Sequence, residues 1–330
     1  MNMNILYTFN DKFVPQVAAG IASVCENNRN EDSITFYLFV LKVSEINKTR
    51  LEEFIHQYNR NVVFFELQNI NRYFDFEIDT SGWNPIVLAR LLLDQFLPAE
   101  VERVLYLDGD TIVRGSIHDL YHTDMNDKAI GASLEPTYSI EKKASIGMNG
   151  YPYYNAGVLL IDLQQWRKQG IGKQVLQFYA SYKGRLFSND QDAINGSQKG
   201  RIYTLSPKYN FFNIYDQYSY SFLKSLCDYQ YIEKKVFDDA RQNPVIIHYL
   251  GEERPWRIGN HHRFKEDYLH YLSITPWSGQ GMENGWNTYF VCWDFFNFMT
   301  KPFPRIRYKL ITALIPGFLK YRSTIIKKEK

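Results

Sequence analysis

Four apolar runs of strand length open this chain, and a segment of helical character separates each from the next. The runs are "MNILYTF", "ITFYLFVL", "NVVFFEL" and "RVLYL". Between them stand "VPQVAAGIASVCENN", "SEINKTRLEEFIHQYN" and "NPIVLARLLLDQFL". Ser44 suits the N-cap of the second of these helical segments. Asn84 suits the cap of the third, with Pro85 at its first position, where proline is tolerated. Strand and helix in strict alternation build parallel βαβ units. The predicted architecture is therefore α/β, a central mostly parallel sheet flanked by helices. Further strands are expected at "AIGASLEP", "YYNAGVLLIDL" and "PVIIHYLG", and helices over "QQWRKQGIGKQVLQFYASYK" and "SNDQDAINGSQK". Ligands of such sheets bind beyond the carboxyl ends of the strands. No GxGxxG follows the first strand, which argues against a dinucleotide cradle.

The fourth run leads straight into two carboxylates in "VLYLDGDTIV", Asp108 and Asp110. Paired negative charges at the end of a buried strand repel each other and resist desolvation. Three readings compete. The aspartates cap a turn. Alternatively, "LDGDTIV" resembles the nucleophile loop of haloacid-dehalogenase-like phosphatases, with Asp108 as nucleophile, although that loop usually follows the first strand. In the third reading both carboxylates hold one divalent cation that neutralises a nucleotide-sugar diphosphate. Oxygen ligands suit Mg²⁺ or Mn²⁺, and one imidazole tilts the choice to Mn²⁺. This reading requires a distant histidine at another strand end, and "VIIHYLGEERPW" supplies His248.

Six segments in order, "MNILYTFND", "ARLLL", "VLYLDGDTIV", "YYNAGVLLIDLQQWR", "NDQDAIN" and "HYLGEERPW", resemble the retaining glycosyltransferases of family 8. Among these the chain looks most like the bacterial α-galactosyl- and α-glucosyltransferases of lipopolysaccharide and surface glycans. The resemblance spans roughly residues 3–260 and implies a GT-A-like fold and a UDP-sugar donor. It also implies roles for particular residues. Asp108, Asp110 and His248 would hold the metal, and Arg90 would lie beside the donor sugar. Asn155 and Asp190 would bond sugar hydroxyls, and Gln191 would sit beneath the anomeric carbon. Gly251 and Arg254 would grip the diphosphate. Thr8, Asn10 and Asp11 of "TFND" would lie on the uridine side. The family often has aspartate where Asn10 stands, and asparagine still offers a donor and an acceptor. Arg254 replaces a common lysine, keeping the charge and adding a fork. No carboxylate is obviously placed as a nucleophile, so attack from the face of UDP departure is favoured, with Asp190 as nucleophile in the two-step alternative. A non-catalytic nucleotide-sugar-binding protein is a further alternative. The aromatic stretch Tyr209, Phe211, Phe212, Tyr215 and Tyr218 reads either as a stacking wall for an acceptor sugar or as a loop packed over the core.

Residues 301–330 carry nine Lys or Arg against one acid, Glu329, a local +8 within an overall +2, so residues 1–300 carry −6. A nucleic-acid partner is not expected. The apolar "LITALIPGFL" within this basic tail is too short to span a bilayer. Its basic flanks, Arg305, Arg307, Lys309, Lys320, Arg322, Lys327, Lys328 and Lys330, suit an anionic membrane surface, with Pro316 expected to bend or divide any helix there. Division into a catalytic domain, 1–276, and an extension, 277–330, follows. Three scattered cysteines and no leader-like start predict a cytoplasmic protein, peripheral on the inner face of the membrane.

Overall fold

The computed structural model describes residues 2–80 and 83–328. Seven strands form the main sheet in the order β3-β2-β1-β4-β7-β6-β8. They are β1 (Met3–Asn10), β2 (Ile34–Leu41), β3 (Asn61–Glu66), β4 (Arg103–Leu107), β6 (Ile130–Leu134), β7 (Tyr154–Asp162) and β8 (Ile202–Leu205). A two-stranded ribbon pairs β5 (Thr111–Val113) with β9 (Ile246–His248). The unbroken apolar sequences of β1 and β2 are buried almost throughout, as strands covered on both faces require. β3 closes one edge and alternates in exposure.

β1, β2, β3 and β4 run parallel, whereas β7 is antiparallel to both of its neighbours, β4 and β6. The start of β7 therefore lies beside the end of β4. Leu107 faces Val158, and Asp108 N–H donates to Gly157 O at 2.8 Å. The crevice between β1 and β4, where strand order changes direction, opens at the same edge. β6 also ends there, and Glu135 N–H bonds Tyr153 O at 2.9 Å, closing the excursion that returns into β7.

Helix α1 (Val14–Asn27) is buried along nearly its whole length. Helix α2 (Glu45–Gln57) starts at Ser44, whose Oγ accepts from Asn47 N–H as expected. Three elements differ from the sequence reading. "NPIVLARLLLDQFL" forms a 3₁₀ segment, Pro85–Leu91, and a single α turn, Leu93–Phe96, although Asn84 caps it as predicted. The expected helix after β7 divides at Gly170, where φ is +62°, into Leu163–Lys168 and Ile171–Ser181. The last strand, β9, joins β5 rather than the main sheet. Strand β8, four residues long, is too short for periodicity to show.

The chain ends in two helices, Asn287–Thr300 and Pro304–Lys328, and the second continues past Pro316 without being divided there. Arg307, read as part of a basic membrane face, is buried and bonds Asn297 Oδ1 at 2.6 Å and Thr300 Oγ1 at 3.1 Å. It ties the two helices together. The side chains of Pro316, Lys320, Arg322, Lys327, Lys328 and Lys330 lie outside the described residues.

Candidate active site

The ribbon explains how two carboxylates and a histidine far apart in sequence come together. β5 follows the aspartates directly, and its Thr111 pairs with His248 on β9. Tyr249 N–H then donates to Asp110 O at 2.9 Å. His248 Nε2 lies 3.4 Å from Asp110 Oδ1 and 3.7 Å from Asp108 Oδ2. One ligand atom from each of the three residues falls within 4.8 Å of the others.

The surroundings fit a divalent cation. Asn210 Nδ2 donates to Asn155 Oδ1 at 2.8 Å, so Asn210 Oδ1 is left to accept from His248 Nδ1 at 3.0 Å. Nδ1 then carries the hydrogen and Nε2 turns its lone pair to the carboxylates, the tautomer a metal ligand needs. Burial disfavours charge on His248, but Asp110 and Asp108 outweigh it and raise its pKa. Burial likewise pushes Asp110 up, and the bond and charge of His248 with the charge of Arg254 pull it below the ordinary value. The three groups call for shared positive charge, and a cation can replace the proton. Two oxygens and one imidazole suit Mn²⁺ or Mg²⁺ and leave coordination positions open.

Gly157 is required by this packing and was missed in the sequence reading. A Cβ there would stand 2.2 Å from His248 Cε1, 2.6 Å from Nδ1 and 3.0 Å from Asp108 Oδ2. Any side chain would enter the space between His248 and Asp108.

Arg90 is buried and links the remaining polar groups. Its Nη2 donates to Asp108 Oδ1 at 2.7 Å, Nη1 to Ala156 O at 2.6 Å, and Nε lies 3.1 Å from Asp190 Oδ2. The guanidinium sits 4.2 Å over the ring of Tyr106. Tyr106 OH gives a second bond to Asp108 Oδ1, at 2.6 Å, and meets Thr8 Oγ1 at 3.0 Å. Burial raises Asp190 to about 6 in spite of Arg90.

Gln191 is held by three bonds. Its Oε1 accepts from Ala156 N–H at 2.9 Å, and Nε2 donates to Glu135 Oε2 and to Tyr153 OH, both at 3.1 Å. The carbonyl keeps a second lone pair. Asn155 Nδ2 shares Glu135 Oε2, at 2.9 Å, while its Oδ1 accepts from Gly157 N–H at 2.9 Å. Burial holds Glu135 above the usual carboxylate range, partly offset by these donors. A continuous polar chain thus runs from Gln191 through Glu135, Asn155 and Asn210 to His248.

Arg254 approaches from the loop after β9. Its Nη2 is 3.6 Å from Asp110 Oδ2, Nε donates to Gly251 O at 3.0 Å, and Phe13 and Trp256 flank the guanidinium. Gly251 takes φ +88°, a left-handed turn that favours glycine. Asn10 ends β1 and makes no cap bond to the turn that follows. Asp11 Oδ1, by contrast, accepts from Ser44 N–H at 2.9 Å, Ser44 Oγ at 3.1 Å and Asn47 Nδ2 at 2.8 Å, which fixes the start of α2 and lowers its pKa. The aromatic stretch packs mostly inward: Phe211, Phe212, Tyr215 and Tyr218 are buried and Tyr209 is half-buried, so packing over the core describes four of the five.

A family model, "Glycosyl transferase family 8", matches residues 4–258. The chain belongs to this family. It is a glycosyltransferase, and nothing in the comparisons supports the phosphatase or non-catalytic readings. The chain is 26% identical to General stress protein A of Bacillus subtilis, over 84% of this chain and 96% of that protein. It is 24% identical to the lipopolysaccharide 1,3-galactosyltransferase of Salmonella typhimurium, over 83% of this chain and 79% of that one. Among solved structures, the galactosyltransferase LgtC in complex with donor and acceptor sugar analogs superposes with a TM-score of 0.70 at 26% identity. The match covers 87% of this chain and 99% of LgtC, and the fold is accordingly GT-A.

Proposed function

We propose that this enzyme transfers a hexose, galactose or glucose, from a UDP donor to a hydroxyl of a glycan acceptor, with retention of the α-anomer. The acceptor belongs to a surface polysaccharide, a lipopolysaccharide or a glycoprotein glycan and is lipid-linked or protein-linked. The observation that carries the reading is the meeting of Asp108, Asp110, His248 and Arg254 at the sheet edge where Asn155 and Gln191 also stand. A bound Mn²⁺, or Mg²⁺, would neutralise the donor diphosphate and stabilise it as a leaving group.

The chain's own residues divide the remaining work. Asp108, Asp110 and His248 hold the cation. Arg254 and Gly251 take the diphosphate, and Thr8, Asn10 and Asp11 line the uridine side. Arg90 fixes Asp108 and Asp190 in one frame, so both carboxylates keep their positions as charge moves. Asn155 and Asp190 bond sugar hydroxyls. Gln191, already immobilised, presents its carbonyl dipole to positive charge growing at the anomeric carbon. The acceptor oxygen bonds to that carbon on the face that UDP leaves, and a diphosphate oxygen takes the acceptor's proton.

The C-terminal helices support a membrane-surface location. Val291, Phe295, Phe298 and Met299 on the first helix are 53–77% exposed, and Phe303, Ile306, Leu310 and Leu314 continue the apolar face. Lys301, Arg305 and Lys309 are exposed alongside. Among the described residues no helix is long and apolar enough to cross a membrane. An apolar face with basic neighbours fits an anionic lipid surface. Deeper placement of the catalytic body is not required.

The test is direct. Purified protein is incubated with Mn²⁺ and each UDP-hexose, and UDP release is measured with and without candidate acceptors. Acceptor-stimulated UDP release, abolished by a chelator, is expected. Release of phosphate from monoesters without any UDP release would overturn the reading.

A further inference from the structure

The loop that carries Arg254 is gripped from behind by the C-terminal extension. It runs from Gly251 to Gly259, at φ +88° and +86°, so glycine-favouring turns bracket it. One face brings Arg254 to Asp110. The same loop carries Arg257, which is 8% exposed and therefore needs partners for its charge. Arg257 Nη1 donates to Glu252 O at 3.0 Å and pairs with the Glu252 carboxylate. Its Nε donates to Glu283 Oε2 at 3.0 Å, and its guanidinium lies 3.5 Å over the ring of Trp286.

Glu283 also grips the loop through other atoms. Its Oε1 accepts from Trp256 Nε1 at 3.1 Å. Its backbone N–H donates to Trp256 O at 2.8 Å, and its carbonyl accepts from Ile258 N–H at 3.0 Å. The helix Asn287–Thr300 closes against Gly259, where a Cβ would stand 2.8 Å from Asn287 Oδ1. Trp256, held in this way, is one of the two rings that flank Arg254.

We infer that Arg257, Glu283 and Trp286 form a clamp through which the C-terminal extension positions Arg254 for the donor diphosphate. These are positioning residues, since none of the three touches the metal ligands. The inference rests on the nucleotide-sugar reading above. It makes the segment 283–290 part of the donor site's frame, while the membrane-facing residues lie further along the same helices.

The experiment measures binding of UDP with Mn²⁺ by calorimetry, and thermal unfolding in parallel, for Glu283→Ala, Trp286→Ala and Arg257→Lys. Each variant is expected to bind UDP about tenfold more weakly, with the KM for acceptor unchanged. Lysine fails to rescue because it has neither the fork nor the flat face that Arg257 uses. In the double variant Arg254→Ala/Glu283→Ala the loss should equal that of Arg254→Ala alone, because Glu283 acts through the loop that presents Arg254. A purely structural role would lower the unfolding temperature and weaken acceptor and donor alike. Unchanged UDP affinity in the single variants, or losses that multiply in the double variant, would overturn the clamp. Absence of UDP binding by the wild-type protein would instead overturn the nucleotide-sugar reading.

Discussion

Replacing Gly157 with alanine tests the proposed metal site through one methyl group. The added carbon would begin 2.2 Å from His248 Cε1. Ordinary carbon contacts are about 3.5 Å. More than an ångström must therefore open between the strand and the ring. The strand resists, since Gly157 is bonded to Asp108 N–H and lies within the β4–β7 ladder. The ring is the softer partner, and moving it breaks the Nδ1 bond to Asn210 and swings Nε2 away from the carboxylates. Disturbing an outer partner of a metal ligand weakens metal affinity by about 10- to 100-fold. Overpacking itself costs about 1–3 kcal/mol of stability. The expected result is a half-saturating Mn²⁺ concentration raised by about 10- to 100-fold in the UDP-release assay, with activity partly recovered at high Mn²⁺. Urea unfolding in chelator should show the stability loss, and His248→Ala added to Gly157→Ala should relieve it. An unchanged Mn²⁺ requirement in a folded Gly157→Ala enzyme would refute the packing argument.

Arg90→Met leaves Asp108 and Asp190 without their shared cation, and a loss of about 3–5 kcal/mol is expected in chelator; adding Asp190→Asn should return part of it, and a loss below about 1 kcal/mol would count against the arrangement. His262 is held neutral, its pKa depressed to about 4 by burial and by the Arg263 charge, while its Nδ1 accepts from Phe264 N–H. Above pH 6.5 neither state binds the proton; below it the unfolded chain does and the native chain does not, so stability falls with pH, by about 2 kcal/mol between pH 7 and 5. Urea titrations of wild type and His262→Gln at both pH values should differ by that amount, and equal pH sensitivity would contradict it. Deleting residues 301–330 removes the basic residues and Phe303, Ile306, Leu310 and Leu314 but leaves the apolar face of Asn287–Thr300, so it should weaken binding to anionic vesicles and leave activity on a soluble acceptor nearly intact. Sedimentation at low and high salt checks this, and undiminished binding by the truncated protein would locate the contact elsewhere.

The meeting of Asp108, Asp110 and His248 was legible because paired carboxylates at a strand end call for positive charge, and the chemistry of a hard cation pointed to a histidine. Arg90 was legible as a charge among apolar neighbours. Tyr106, Glu135, Gly157 and Asn210 were not. Glu135, Gly157 and Asn210 act through partners distant in sequence, as Gly157 does through His248, and Tyr106, though it bonds nearby Asp108, sits in an apolar strand where a lone tyrosine carries no local sign of that role. The alternating runs displayed β1 to β4, but β5 and β8 hold three and four residues and show no period. Pro85–Leu91 follows a 3₁₀ path although Leu88, Ala89, Arg90 and Leu91 are good helix formers, so the tertiary packing of its buried Ile86, Leu88, Ala89 and Leu91 overrides propensity. Arg307 looked like any basic residue in a basic tail, and only the neighbouring helix showed it to be a buried tie.

The reversed direction of β7 has a consequence for how the chain between β6 and β7 can vary. β6 ends and β7 begins at the same rim, and the backbone bond from Glu135 to Tyr153 pins the two ends of the chain between them. Residues 136–152 are thus a cassette with a fixed base. Doubling the length of such an excursion costs only about 0.6 kcal/mol in closure entropy. Tyr138, which stacks on Tyr153 with ring centres 3.7 Å apart and bonds Asp192, would have to travel with any replacement. A graft that keeps this tyrosine, the Lys143–Asp228 pair and the buried Ile146 and Met148 can exchange the remaining surface while Glu135, Asn155 and Gly157 stay in register.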